Sequence, residues 1–314
     1  MAVAVLRSPD GRVRPIWRFL IAAVIFIACE FTVVRLLRPT VMISAASIAA
    51  LAIIVVLLTA AFAALSRMLD RARNPLAYMG FPRDVPVARS IVVGFLFGTA
   101  LISLAVVVLV LGASATFRWR MNGAMLQAAA MQFVLFAVAA LHEEVAFRGY
   151  PFQRLTETIG PVWAVIVLAA LFAVPHIGNP NSSLFSAFNT AGAGALLAAA
   201  YLCTRSLWFV WGIHWGWNFV LAVVYGLSVS GFDTDGPVDG MVAGPQWLTG
   251  GAYGVEGGAS GTIAIAVGFA VLLWLRWRPA LLGGPALPPA MYVAMPAPAI
   301  SDGVGPSSSE PPSS

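Results

Sequence analysis

All three histidines of the chain lie in short polar segments within or at the ends of apolar runs. One segment reads Leu141-His142-Glu143-Glu144-Val145-Ala146-Phe147-Arg148. The second is Phe172-Ala173-Val174-Pro175-His176 and the third His214-Trp215-Gly216-Trp217-Asn218. Ionisable groups inside apolar spans are expensive to keep, so they mark candidate functional sites. On a helix Glu144 and Arg148 stand four residues apart with the acid on the amino-terminal side, the favourable order for an ion pair. Glu143 points about 100° away, and its own neighbour four residues on is Phe147, so it has no intrahelical cation. Two adjacent carboxylates in a low dielectric resist ionising together. Glu143 is therefore the better general base or acid, with Glu144 and Arg148 in support.

His214 and Asn218 share one helical face, where an imidazole and a carboxamide can together hold a developing oxyanion. Gly212 and Gly216 have the same spacing and lie roughly opposite, a strip of small residues along which another helix can approach closely. His142 sits outside these pairings and reads as a satisfied or snorkelling side chain. A zincin motif would need histidine where Ala146 stands. Glu143, His176 and His214 remain a possible alternative zinc set, since two imidazoles and a carboxylate can bind the metal.

The elements that carry these residues follow from composition. Of 314 residues, 60% are hydrophobic and 10% charged, against about 25% charged in soluble domains. That balance excludes a soluble enzyme, a disordered chain and a disulfide scaffold. Apolar runs near the length of a bilayer span recur at Ile16–Leu37, Val41–Leu65, Ser90–Gly112, Ala124–Phe147, Pro161–Pro175, Leu184–Thr204, Leu207–Ser228 and Gly261–Leu275. The expected fold is all-α, a polytopic transmembrane helix bundle of about eight spans. The net charge of +5 comes from arginines clustered between runs, a topology signal and not a nucleic-acid surface. The basic link through Arg67, Arg71, Arg73, Arg83 and Arg89 belongs on the cytoplasmic side. Threading from it predicts a multi-pass plasma (inner) membrane protein with both termini cytoplasmic and Asp233, Asp235, Asp239 and Glu256 outside.

Four regions result: 1–123, membrane helices with a cytoplasmic linker; 124–228, the core carrying the motifs; 229–278, an outward loop and final helix; and 279–314, a Pro/Ser-rich tail expected to be disordered. Glu30, late in the first run, reads as an interfacial residue snorkelling near Arg35. With a turn near Gly160, Glu143 and His176 are each about 16 residues away, or about 24 Å along antiparallel helices, and so are level. His214 is about 8 residues from its own turn, so the intervening hairpin must protrude by roughly 12 Å for the groups to meet.

Taken in order on successive membrane helices, Glu143-Glu144-x-x-x-Arg148, Phe172-x-x-x-His176 and His214-x-x-x-Asn218 resemble the CPBP family of intramembrane endopeptidases. That family is similar to the type II CAAX prenyl proteases and includes bacteriocin-immunity-like members. The resemblance covers about 124–228, and Phe147-Arg148-Gly149 adds to it. It implies a glutamate-dependent hydrolase without a cofactor. Glu143 and His176 would activate a water, His214 and Asn218 would form the oxyanion hole, and the partner would be a protein or peptide substrate at the lipid bilayer. Two other readings stay open from the residues: a metal-dependent membrane protease, and a non-catalytic immunity or binding protein that uses the same polar cluster as packing glue.

Overall fold

The computed structural model describes residues 6–8, 11–37 and 44–276. The expected disordered tail at 279–314 lies outside the described residues. The chain is an all-α, polytopic membrane bundle. Its long helices are α1 (Pro15–Leu37), α2 (Ala45–Leu69), the short α3 (Pro75–Tyr78), α4 (Val87–Gly112) and α5 (Gly123–Arg148). After these come α6 (Tyr150–Ile159), α7 (Pro161–His176), α8 (Leu184–Thr204), α9 (Leu207–Phe219), the short α10 (Gln246–Thr249) and α11 (Ala259–Leu275). Local signals set many of the starts. Ser44 and Ser183 form capping boxes with Ser47 and Ser186. The Asn122 side chain caps α5 through Met125 N at 2.9 Å, and Pro161 opens α7.

Each of the eight expected runs holds a helix, but among the described residues six segments are long and apolar enough to cross a membrane: Pro15–Thr32, Ala45–Leu69, Val87–Gly112, Gly123–Ile159, Leu184–Thr204 and Leu207–Val224. Helix α7 has 16 residues and α11 has 17, because Gly160 and the turn after His176 bound the first and Gly258 delays the second. The seventh run was read to Ser228, yet its helix passes into a π-helical turn at Val220–Val224 and stops there. A small antiparallel ribbon, unforeseen in the sequence, pairs β1 (Ser114–Trp119) with β2 (Val238–Ala243), Ser114 opposite Ala243 and Trp119 opposite Val238. Large apolar side chains such as Val24, Ile27, Val56, Leu57, Leu96 and Leu111 stand bare on the outside, a surface that hydrocarbon and not water satisfies.

Helix α9 is central and packs on α4, α5 and α8. Its contact with α4 is backbone to backbone. A Cβ on Gly212 would stand 2.4 Å from the Ile91 carbonyl oxygen, and one on Gly216 2.3 Å from that of Phe95. The α4 partners are themselves glycines: a Cβ on Gly94 would meet Phe209 O at 2.1 Å, and one on Gly98 would meet Ile213 O at 2.0 Å. The strip expected at Gly212 and Gly216 thus has a matching strip opposite it, and this docking turns the other face of α9, with His214 and Asn218, toward the bundle interior.

At one end of the bundle, buried Asp70, the residue closing α2, accepts hydrogen bonds from Arg18 of α1 and from Arg154 of α6. Gln153 of α6 donates to the Tyr201 hydroxyl near the end of α8 at 3.1 Å. These bonds fasten α6 to the ends of α1, α2 and α8. At the other end lie the ribbon, the 177–183 turn and the 225–258 segment.

Gly98→Ala is expected to lower stability by about 1–3 kcal/mol, because backbone must move to admit the methyl group. Gly123→Ala, with nothing within 4 Å of the added carbon, should cause no loss. Thermal unfolding of the two variants in the same detergent measures the contrast.

Candidate active site

Helix α5 delivers its two carboxylates to different places. Glu144 has no solvent exposure. Its Oε1 accepts from Arg148 Nη1 at 3.2 Å and from His214 Nδ1 at 2.8 Å. The Arg148 guanidinium is equally buried, donates through Nη2 to the Gly194 carbonyl of α8 at 2.7 Å, and lies 4.5 Å from the centre of the Phe172 ring of α7. One ion pair thereby ties four helices together. Glu143 is partly exposed, and its Oε2 stands 3.8 Å from His214 Nε2. That oxygen is buried and receives no hydrogen bond from the protein, so it retains acceptor capacity.

Both imidazoles are oriented through Nδ1. The Nδ1–H of His214 donates to Glu144, and that of His176 donates to the Phe172 carbonyl one turn earlier, at 2.9 Å. An oriented Nδ1–H leaves Nε2 as the working atom of each ring. His176, His214 and Asn218 line one cavity with Phe172, Trp217 and Glu256. Its volume of about 50 Å³ is room for a few waters and far too small for a peptide. Glu143 is not among the residues that line it; its carboxylate stands beside Nε2 of the His214 ring, while Glu144 holds Nδ1.

Sequence reasoning missed Glu256. It arises in a short 3-10 turn, Val255–Gly257, 38 residues after Asn218, with no periodic pattern to connect them. Its only sequence signal is that of a lone acid in a glycine-rich stretch. The other acids expected on that loop, Asp233, Asp235 and Asp239, line a separate polar cavity with Arg120. Glu30 also differs from expectation: its Oε1 lies 2.8 Å from His142 Nε2, so α1 is tied to the residue preceding Glu143. The indole N–H groups of Trp211 and Trp215 donate to the Ala137 and Phe133 carbonyls of α5 at 2.7 and 3.0 Å.

Among the described residues no three His, Cys, Asp or Glu side chains gather closely enough to hold a metal ion. The alternative ligand set of Glu143, His176 and His214 is therefore not assembled as a metal site.

Comparison with known families agrees with these coordinates. Residues 125–220 match the family model of Type II CAAX prenyl endopeptidase Rce1-like proteins. The matched stretch is just under a third of the chain, running from the start of α5 into the π-helical turn. It contains Glu143, Glu144, Arg148, His176, His214 and Asn218, and it excludes Glu256. A search of curated proteins gives no match to the chain.

Removing Arg148 would take the guanidinium from buried Glu144 and leave only the His214 ring beside it; breaking a buried pair in this way typically costs about 3–5 kcal/mol. Arg148→Met is expected to lose stability on that scale in detergent melts, and a loss below about 1 kcal/mol would show that the pair is not the structural tie described.

Proposed function

We propose that this protein is an intramembrane endopeptidase that hydrolyses a peptide bond of a membrane-associated protein or peptide with a protein-activated water. The reading rests on one observation above the others: α7 brings His176, and α9 brings His214 and Asn218, to a cavity with room for a few waters, with Glu143 of α5 beside the His214 ring. The family match over the same stretch supports it.

In the proposed reaction Glu143 and His176 draw a proton from the water as its oxygen attacks the scissile carbonyl carbon. The carbonyl oxygen becomes an oxyanion, held by the Asn218 carboxamide N–H and by His214 acting as an imidazolium whose charge Glu144 balances. Collapse of the tetrahedral intermediate breaks the C–N bond, and the proton taken from water passes to the leaving amine. Arg148 holds Glu144 in position and touches no reacting atom. The Glu143 carboxylate and the His176 imidazole both lie within reach of membrane-depth substrate only if the small cavity widens, so substrate entry involves an opening movement. Following the arginine distribution, we place the chain in a plasma or inner membrane with both termini cytoplasmic. The family match makes a prenylated C-terminal peptide the first substrate to try.

Purified protein in detergent, given a quenched-fluorescent farnesylated CAAX peptide, is the direct assay. Glu143→Gln is expected to lower kcat by about 10²- to 10⁴-fold, and His214→Ala or Asn218→Ala by about 10²- to 10³-fold. Cleavage by Glu143→Gln at the wild-type rate would refute the assignment.

A further inference from the structure

Glu256 occupies the wall of the cavity that holds His176, His214 and Asn218, yet none of the three sequence motifs contains it. Both of its oxygens are committed. Oε1 accepts from the indole Nε1–H of Trp217 at 2.8 Å. Oε2 accepts from the backbone N–H of Ser230 at 2.5 Å and from its hydroxyl at 3.1 Å. No ion pair to Glu256 occurs among the described residues. It is a carboxylate held by three neutral donors, which are stronger partners for a charged acceptor than for a neutral one.

The two ends of this bridge matter differently. Trp217 lies between His214 and Asn218 on α9, just before the helix loosens into its π-helical turn. That turn has no capping side chain of its own. Ser230 has φ of +49°, the left-handed region that non-glycine residues rarely enter. Backbone in such a conformation persists where surrounding bonds over-determine it, and it clusters at functional sites. Here the bonds are visible: Ser230 N–H and Oγ–H on Glu256, and the Ser230 carbonyl accepting from Asn179 Nδ2 at 2.9 Å. Glu256 is fixed in turn, because Asn189 of α8 donates to its carbonyl at 2.9 Å and to that of Gly258 at 2.8 Å.

We infer that Glu256 is a positioning residue for the proposed hydrolysis: by gripping Trp217 from the 225–258 segment it sets the turn of α9 that presents His214 and Asn218. This inference rests on the reading of the site given under Proposed function. The chemistry distinguishes a carboxylate from its isostere. A glutamine amide has one oxygen and one NH2, so in either orientation an N–H faces the N–H of Trp217 or of Ser230.

The test combines two readouts on full-length protein in detergent. Hydrogen–deuterium exchange over 212–224 needs no substrate, and Glu256→Gln is expected to speed it relative to wild type. With the farnesylated peptide, Glu256→Gln is expected to lower kcat by about 10- to 100-fold, the scale of a small misplacement of catalytic groups, while KM stays within about two-fold. Trp217→Phe should act in the same direction, and Glu256→Gln with Trp217→Phe should be no worse than the more damaging single change, since both cut one bond. If Glu256→Gln does not fold, Trp217→Phe alone carries both readings. Unchanged exchange, unchanged kcat, a loss confined to KM, or independent additive losses would each overturn the inference. A wild-type protein that cleaves no peptide would count against the proposed function instead, and exchange would then decide the role of Glu256 by itself.

Discussion

A carboxylate with no access to solvent must be compensated where it stands, and Glu144 imposes that condition on the whole bundle. Its two partners come from its own helix and from α9, and Arg148 also donates to the Gly194 carbonyl of α8 while resting on the ring of Phe172 from α7. Four helices must hold their relative depth for the charge to remain paired. Interhelical hydrogen bonds in lipid are individually modest, so geometry of this kind is kept for the position it enforces more than for its net energy. What it enforces is the orientation of the His214 ring.

The glycine contact between α4 and α9 supplies the complementary constraint. Carbonyl oxygens lie where side chains would otherwise be, so α9 can neither roll nor back away without losing close packing along the length that bears the motif. One face of α9 is used up in rigid contact, and the opposite face is left for polar work. That division explains how a helix of mostly aromatic and aliphatic residues can carry an imidazole and a carboxamide at fixed positions. It also explains why Trp211 and Trp215 reach across to α5 carbonyls: their N–H groups need partners in an environment without water.

Much of this arrangement was legible in the sequence. The i, i+4 spacings of Glu144 with Arg148 and of His214 with Asn218, and the glycines opposite, depend only on helical periodicity, which an apolar run makes safe to assume. The depth argument, which set Glu143 and His176 level along antiparallel helices, uses the same periodicity. Features that depend on distant partners were not legible. The matching glycines of α4 are visible only once α4 and α9 are known to touch. Glu30 reads as an interfacial residue snorkelling near Arg35; that its carboxylate reaches His142, more than a hundred residues on, has no signal in the sequence. The six-residue strands of the ribbon lie in turn-rich loops and gain their definition from each other. Glu256 belongs to this second class: a loop acid becomes part of a cavity only through the chain that carries it back. The Rce1-like match agrees with what periodicity could see, and it stops before the segment that closes the cavity.

The central claim is that Glu143 and His176 act on one water in the company of His214 and Asn218. The most direct measurement is a cryo-electron microscopy or crystallographic map of the purified protein at a resolution that orders internal solvent. The account expects an ordered water within about 3 Å of both the Glu143 carboxylate and His176 Nε2, where the cavity meets the His214 ring. A dry cavity, or solvent that touches the histidines while Glu143 is sealed off from it, would contradict the account.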